Sequence, residues 1–379
     1  MQETKNTIVK LLNSVFRGIP FTKWLSIGCK QFRPHSSGMP SFTALVMFFT
    51  TTILASIGCK SKTDPPESSS HLNADLADSA AVFQQTLIKT EKLAADLASR
   101  TEAIYLALDK NASLVDGSQY HLESNGVLHR PSAVERNVSA VFVSGAVNIT
   151  DDILKIVKAT EALDPWLSEI TESDPTINQA YFNSKDSYNR IYPPFEVLSQ
   201  YPAGMEIPAY NFYYLADQKN NPNRGPIWIK EPYVDPAGRG WMITCSAPVY
   251  VNGILEGVCG LDLTVESIVR HMNLDDERNR LMLVSSDGTV VAAGEALLQI
   301  LRLPILKNHR YVDTVRADTF RPSDYNLLKS RSREIRTAAE DLLVQKCDSV
   351  ELSLDQKRWH IDTVAIPQLD WLFLQFRIK

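Results

Sequence analysis

Apolar and small side chains between residues 73 and 108 recur in alternating steps of three and four positions. This spacing places them on one narrow face of a single long helix, which we predict to begin near Asn73. The face can pack along the protein's own core or pair with a second copy of the helix in a homodimer, since its alanines and threonines suit either partner. The stripe consists of Leu76, Ala80, Phe83, Leu87, Thr90, Ala94, Leu97, Thr101, Ile104 and Leu108.

Two hairpin signals follow the helix. Asn252-Gly253 separates two runs of strand-forming residues, Trp241–Tyr250 and Ile254–Leu263, and Asn-Gly is a dipeptide that two-residue antiparallel turns favour. Asp287-Gly288 interrupts the run Arg280–Ala293 in the same way. The other predicted elements are a hairpin over Tyr120–His129, a strand within Val138–Asn148, helices over Asp151–Leu163, Trp166–Ser173, Val265–Met272 and Asp324–Lys346, and strands at Val350–Leu354, Trp359–Ala365 and Trp371–Ile378.

The hairpin that turns at Asn252-Gly253 predicts where two of the five cysteines point. With a two-residue turn, Cys245 lies opposite Gly260 and Cys259 lies opposite Ser246. The two thiols then face opposite sides of the sheet, so we predict free cysteines. Because no two cysteines form a CxxC pair and the seven histidines are scattered, we expect no metal site.

The order of helix, hairpin and antiparallel strands occurs twice along the chain. This repetition predicts an α+β fold in which two domains share the long N-terminal helix. We place the first domain, including that helix, at residues 73–265 and the second at residues 266–379.

The amino-terminal segment has the order of an export signal. Residues 1–38 carry six lysines and arginines against Glu3, and Phe42–Gly58 contains no charged residue. A basic stretch followed by an apolar run and small residues is typical of a secretory signal, so we predict a signal or anchor segment over residues 1–58. An uncleaved membrane anchor and plain secretion are the alternatives, although the run is short and rich in threonine for a spanning helix.

A lipidation site follows that segment. Gly58-Cys59 resembles the end of a bacterial lipobox, with Ser56 where leucine is usual, so we predict that Cys59 becomes the acylated first residue of the mature protein. Residues 59–72 are polar and rich in Ser and Pro, and they predict a flexible tether to the membrane.

Composition and motifs exclude several classes of function. The net charge of -5 and the isoelectric point near 5.9 argue against a nucleic-acid binder, which would carry a basic face. We find no G-x-S-x-G motif and no histidine near a candidate nucleophile, so catalysis is not expected. No cofactor is expected either.

Aromatic side chains are concentrated between residues 188 and 262, where Pro and Gly interrupt them and the aromatic-rich motifs also contain Arg190, Asp235 and Asp262. Rings that exclude water and a few charges that orient a ligand are the composition of a small-molecule pocket. The candidate ligand-binding residues are Arg190, Tyr192, Tyr213, Tyr214, Trp228, Tyr233, Asp235, Trp241 and Asp262.

The same stretch resembles the double-Cache extracellular sensor domain, and the resemblance covers most of residues 73–379. In the second domain, Leu283–Ala292 and the pair Ile366-Pro367 with Trp371-Leu372 match the membrane-proximal half of that family. The motif in the first domain consists of Trp228, Pro232-Tyr233, Asp235, Gly240, Pro248-Val249, Gly253, Gly257-Val258 and Gly260-Leu-Asp262.

The resemblance implies two stacked PAS-like modules with the ligand in the first. It also implies that Asp262 accepts the ligand's amino group and that Tyr213-Tyr214 stands where amino-acid-binding members have Trp-Tyr. Asn211 occupies the position of the arginine that holds the ligand carboxylate in those members. Arg190 is therefore a candidate substitute, and an amine or a neutral heterocycle fits as well as an amino acid.

Several candidates have a structural reading beside the functional one. Tyr233 and Trp241 suit a core as well as a pocket wall, Asp235 suits a turn cap, and Asp262 suits the start of the following helix. Tyr213 and Tyr214 point to opposite faces if that segment is extended, so only one of them can line a pocket.

We therefore expect a lipid-anchored, extracytoplasmic protein, on the periplasmic side or the outer surface, that binds an amine, an amino acid or a similar small metabolite. It acts as a sensor or a capture protein, and the loop from Tyr192 to Tyr210 closes over the ligand. No second apolar span or signalling domain follows the last strand, so a separate signalling protein is the expected partner. An exported hydrolase and a structural surface lipoprotein with a non-functional pocket are the alternatives.

Overall fold

The computed structural model describes residues 67–108, 119–131, 137–276, 278, 280–304 and 322–379. The predicted signal segment, Cys59 and most of the tether lie outside the described residues. Within those ranges, none of the helices has a stretch that is both apolar enough and long enough to be a membrane span.

A single long helix, α1 (Glu67–Ala107), leads into both modules and begins six residues before the predicted start. From Leu76 to Thr101 every predicted stripe position is at most 1% exposed. The stripe packs against strands of both sheets described below, so the prediction of one helical face is confirmed. Because the protein's own core covers this face, it is not available to a second copy.

The first module contains an eight-stranded antiparallel sheet in the order β1-β2-β3-β5-β4-β8-β7-β6. The predicted hairpin over Tyr120–His129 turns at Asn125-Gly126, and the predicted turn at Asn252-Gly253 is confirmed. Gly126 and Gly253 both have the positive φ that such turns require. The strands are β1 (His121–Leu122), β2 (Leu128–His129), β3 (Ala140–Val143), β4 (Gln179–Ser184), β5 (Tyr188–Tyr192), β6 (Ile227–Val234), β7 (Trp241–Val251) and β8 (Ile254–Thr264).

Different parts of the chain pack on the two faces of this sheet. One face packs on α1 and on two helices that follow β3, which form as predicted. The other face packs on residues 193–216. The helices are α2 (Asp151–Ala159), α3 (Asp164–Ser173), α4 (Val197–Gln200) and α5 (Asn211–Tyr214), with 3-10 turns at Thr160–Leu163 and Ile207–Ala209.

The predicted pairing of the two hairpin cysteines is wrong by one residue. An irregularity between Val249 and Tyr250 shifts the register, so that Cys245 lies opposite Leu261 and Cys259 lies opposite Ala247. A bulge of this kind adds one residue to one strand only. Both thiols therefore face the α1 side of the sheet rather than opposite sides, and both are free as predicted.

The second module contains a five-stranded antiparallel sheet in the order β10-β9-β13-β12-β11. It follows α6 (Val265–His271), whose first turn is capped by the Thr264 hydroxyl. The strands are β9 (Leu281–Ser285), β10 (Val290–Ala293), β11 (Ser349–Leu354), β12 (Lys357–Ile366) and β13 (Trp371–Ile378), and the other helices are α7 (Glu295–Ile300) and α8 (Arg333–Leu343).

The predicted helix over Asp324–Lys346 is correct only in its centre. Its first part forms 3-10 turns, because the Asn326 side chain bonds the β9–β10 turn through the Asp287 carbonyl at 2.9 Å. Ser332 then caps α8 by accepting a hydrogen bond from Ile335 N. The α+β fold that we predict, with a long N-terminal helix followed by two PAS-like modules with antiparallel sheets, is otherwise confirmed.

Candidate functional site

A small cavity lies between the outer face of the first sheet and residues 193–216. Its volume is about 20 Å³, which is little more than the room that one buried water needs. The cavity is lined by Tyr181, Asn183, Asn189, Ile191, Tyr201, Met205, Ile207, Phe212, Tyr233, Asp235, Pro236 and Asp262.

Strand alternation brings Asp262 into this cavity. Along β8, Gly260 and Asp262 share the cavity face, whereas Leu261 belongs to the core beneath α1. Gly260 lies opposite Tyr181, and a Cβ on Gly260 would come within 2.2 Å of that ring. The glycine therefore allows the tyrosine ring to lie against the strand beside Asp262.

The Asp262 carboxylate is 2% exposed and is held by neighbouring hydroxyl and amide groups. Thr244 Oγ1 donates to Asp262 Oδ1 at 2.6 Å, and Tyr233 Oη lies 2.6 Å from the same Thr244 oxygen. The Gln179 amide, in the orientation that satisfies both of its polar atoms, donates to Asp262 Oδ2 at 2.8 Å. Burial raises the pKa of Asp262 well above its usual range, and the charge of Asp235 raises it further.

Asp235 caps a turn and lines the cavity at the same time. Its carboxylate is 4% exposed and accepts hydrogen bonds from Ala237 N at 2.8 Å and from Arg239 N at 3.0 Å. Burial raises the pKa of Asp235 to about 6, although these two bonds favour the ionised form. Asp235 therefore has both of the roles that were predicted as alternatives, because its side chain caps a turn and also lines the cavity.

Four aromatic rings, those of Tyr181, Tyr201, Phe212 and Tyr233, contribute to the wall. Phe212 lies between Tyr181 and Tyr233, with ring centroids 6.1 Å from each. Asn189 Oδ1, a buried polar atom of the lining, makes no hydrogen bond with any described residue. The Tyr181 hydroxyl interacts with Asp262 and Thr244.

The lining carries two carboxylates and no lysine or arginine. The Arg239 side chain is exposed, but its Nε donates to the Gln179 amide oxygen at 3.0 Å. Its charge acts to lower the pKa values of Asp235 and Asp262, although burial has the larger effect. Among the described residues, no group of three or more His, Cys, Asp or Glu side chains has the arrangement of a metal site. The cavity therefore suits a small cationic group better than an anion.

Arg190 and Tyr192 are not part of the cavity. Both lie on the α1-side face of β5, because Asn189 and Ile191 take the cavity face. Arg190 is fully buried, and its guanidinium donates to Asp164 Oδ1 at 2.6 Å, to Tyr188 Oη at 2.7 Å and to the Val157 carbonyl at 2.8 Å. Our assignment of Arg190 as an anion holder in the pocket is therefore corrected to a buried structural ion pair.

Tyr192 and the two tryptophans are also directed elsewhere. Tyr192 Oη donates to Glu172 Oε1 at 2.9 Å, on α3. Trp228 Nε1 donates to Glu91 Oε1 at 2.8 Å, on α1. Trp241 lines a different cavity, which is described below.

The pair Tyr213-Tyr214 forms part of α5 rather than an extended segment. Tyr213 is buried in the apolar cluster around Phe212 but does not line the cavity, and Tyr214 is 41% exposed. Of the nine predicted residues, the structure thus brings together Tyr233, Asp235 and Asp262.

Sequence reasoning missed the contribution of β4 and β5. Asn183 and Asn189 lie opposite each other in these strands, and Asn189 Nδ2 donates to Asn183 Oδ1 at 2.7 Å. The runs Gln179–Ser184 and Tyr188–Tyr192 are joined by a short polar connection, which is a hairpin signal. The asparagines and tyrosines in these two runs interrupt the apolar pattern that would identify a buried strand.

Comparisons with known proteins find similarity to solved structures only at low identity. No family model and no curated protein matches the chain. The ligand-binding domain of the Pseudomonas fluorescens chemoreceptor CtaA, in complex with L-alanine, matches at 14% identity and a TM-score of 0.48, over 83% of this chain and 98% of that one. The ligand-binding domain of the Pseudomonas aeruginosa PAO1 chemoreceptor PctB, in complex with L-Arg, matches at 14% identity and a TM-score of 0.48, over 82% and 94%. The corresponding domain of PctC from the same organism, in complex with GABA, matches at 15% identity and a TM-score of 0.45, over 82% and 99%.

Proposed function

We propose that this chain is an extracytoplasmic binding protein of double-Cache type whose first module holds the cationic end of a small amine. The observation that carries the proposal is the pair of buried carboxylates, Asp235 and Asp262, in a ring-lined cavity whose lining includes no lysine or arginine. The protein acts by binding alone, as a sensor or a capture protein, rather than as an enzyme.

Electrostatics support an ammonium group as the guest. Burial makes both carboxylates costly to ionise, so the pKa values of Asp235 and Asp262 are raised even though the charge of Arg239 acts in the opposite direction. An ammonium group inside the cavity would add a closer positive charge and favour the ionised forms. The rings of Phe212 and Tyr233 add faces that attract a cation.

The same charges disfavour a carboxylate in the cavity. An amino acid would bring its own negative group close to Asp235 and Asp262. Arg190, the predicted holder of a ligand carboxylate, lies on the other face of β5 and is paired with Asp164. We therefore favour amines without a carboxylate over amino acids.

Ligand entry requires movement of the segment that covers the cavity. Tyr201, Met205 and Ile207 close the cavity from residues 193–210, and the remaining room is too small for more than a single small group. Ile207 N donates to Ser187 Oγ at 3.2 Å, which ties the segment to the β4–β5 turn. We propose that residues 193–210 open to admit the ligand and close over it.

We place the protein at the membrane through a lipid on Cys59, with a separate protein to transmit the bound state. Helix α1 supports this transmission, since it packs on β7 and β8 of the first sheet and on β12 and β13 of the second. Metabolic labelling with an alkyne fatty acid tests the anchor: we expect Cys59→Ser to lose the label and Cys29→Ser to keep it. Equal labelling of the two variants would contradict the assignment.

Calorimetric titration of the full chain in detergent tests the ligand class. We expect a primary amine such as putrescine to bind and to raise the melting temperature, because a ligand that binds only the folded state stabilises it. Asp262→Asn should abolish this response, whereas Glu266→Gln, at an exposed ion pair on α6, should keep it. Binding of amino acids and amines with equal affinity, or an unaltered response in Asp262→Asn, would contradict the proposal.

A further inference from the structure

A second cavity of about 170 Å³ lies where the two modules meet. Trp241 and Val265 line it from the first module, and Val290, Val291 and Tyr325 line it from the second. All five are buried side chains. An apolar cavity of about 150 Å³ is large enough to bind benzene, so this one has room for a small ring.

A bulge in β10 creates much of the apolar wall. Val290 pairs with Val284, but Ala292 pairs with Leu283, so Val291 is an extra residue in the ladder. Successive side chains of a regular strand point to opposite faces, and the bulge lets both valines line one cavity. Tyr325 is brought beside them by the bridge between Thr289 and Asn326.

The mouth of the cavity is acidic. Asp287 and Glu231 lie at its exposed edge. Asp287 accepts hydrogen bonds from Thr289 N and Thr289 Oγ1, each at 3.0 Å, and from Ser285 Oγ. Burial alone would raise the pKa of Asp287, but these bonds outweigh it and lower the pKa, with Lys329 contributing in the same direction. The carboxylate is thus ionised and fixed in place at neutral pH.

The two cavities share one segment of chain. Glu231 and Pro232 line the cavity where the modules meet, which we call the junction cavity. Tyr233, Asp235 and Pro236 line the cavity of the first module, which we call the upper cavity. The register irregularity between Ile229 and Tyr233 falls within this segment. A ligand in either cavity therefore contacts the same short segment of chain, residues 231–236.

We propose that the junction cavity is a second binding site, which takes a small molecule with an apolar, ring-sized body and one cationic end held at Asp287. Trp241, Val290, Val291 and Tyr325 enclose the body, and the cationic end remains at the acidic mouth. The proposal does not depend on the function assigned to the upper cavity.

Methyl NMR of the full chain in detergent, with labelled valines, tests the site directly. Benzylamine is the probe, and we expect it to shift the methyl signals of Val265, Val290 and Val291. The neutral analogue benzyl alcohol should bind about tenfold more weakly, since its hydroxyl lacks the charge that strengthens the hydrogen bond to Asp287. Benzoate should produce no shift, because its charge is repelled at the mouth.

Variants separate this site from the upper one. Asp287→Asn should weaken benzylamine about tenfold, to the level of benzyl alcohol. Asp355→Asn, at an exposed ion pair of the same module, should leave it unchanged. Asp262→Asn should also leave the shifts of the three valine methyl signals unchanged, even though it abolishes amine binding in the cavity of the first module.

Three results would overturn the proposal. The first is that benzylamine leaves all three valines unshifted, and the second is that benzoate binds as well as benzylamine. The third is that Asp262→Asn removes the junction shifts, which would place the only amine site in the upper cavity. The comparison of the three probes needs no variant, so the proposal can be tested even if Asp287→Asn fails to fold.

Discussion

The ring of Tyr181 lies against the Cα of Gly260, its partner across the β4–β8 ladder, at a distance that leaves no space for a side chain. Two residues further along β8, Asp262 enters the same cavity, and its charge raises the pKa of the Tyr181 hydroxyl after the larger effect of burial. The Gly-x-Asp spacing thus has a physical meaning, because the glycine admits a ring beside the aspartate.

Gly260→Ala should damage both the fold and the cavity. The new Cβ would come within 2.2 Å of the Tyr181 ring, and forcing extra volume into a packed site costs about 1–3 kcal/mol. We expect a lower free energy of unfolding in urea and weaker amine binding. Gly204→Ala is the matched control, since a Cβ there meets no atom within 4 Å. Equal stability of the two variants would show that Tyr181 does not occupy this position.

The contribution of Asp235 to the stability of the unliganded protein should rise as the pH falls towards 4. The pKa of Asp235 is raised in the folded state from 3.8 to about 6, so the folded protein binds this proton more tightly than the unfolded chain does. Its stabilising contribution is complete below pH 3.8 and is lost as the pH rises through about 6. A difference of about two pKa units corresponds to about 3 kcal/mol.

Urea unfolding of the wild type and Asp235→Asn between pH 4 and pH 8 measures this contribution. We expect the difference in unfolding free energy between the two proteins to vary with pH in that window. A parallel pair of curves would mean that Asp235 titrates normally and is not buried as described.

Arg190 should matter for stability rather than for binding. Arg190→Ala leaves the buried Asp164 without its shortest ion pair, and removing one partner of a buried pair costs about 3–5 kcal/mol. Arg270→Ala, at an exposed pair on α6, should cost less than about 1 kcal/mol. Thermal unfolding provides the comparison.

Arg190→Lys separates the two roles of that position. Lysine keeps the charge but cannot bond Asp164, Tyr188 and the Val157 carbonyl together. We expect a lower melting temperature with unchanged amine affinity, measured where the variant is folded. A loss of affinity without a loss of stability would return Arg190 to the binding site.

The sheet cysteines should be inert in the native protein. Burial raises the pKa of Cys259 to about 12 and that of Cys245 well above its usual range, and the thiolate is the reactive form. We expect iodoacetamide to modify Cys347, which is partly exposed, before either of them. Peptide mass spectrometry before and after unfolding follows the three sites, and early modification of Cys259 would contradict its burial beneath α1.

Local signals predicted most of the fold correctly. The stripe from Leu76 to Thr101 needs only helical spacing, and the turns at Gly126 and Gly253 need only the conformational freedom of glycine. These features depend on residues a few positions apart, so they can be recognised without knowing the rest of the chain. The same locality predicted the cavity positions of Tyr233, Asp235 and Asp262, because they belong to one contiguous motif.

The remaining assignments depended on pairings between distant segments. Arg190 and Asn189 are neighbours in sequence, yet only the placement of β5 between β3 and β4 decides that Asn189 faces the cavity and Arg190 faces Asp164. A single irregularity in the β7–β8 ladder likewise moved Cys245 and Cys259 to the same face. The sequence by itself determined which elements form and that aromatic rings and carboxylates cluster, since spacing and composition are local properties. Only the tertiary structure decided which side chains meet, because one residue of register reverses the face that a strand presents.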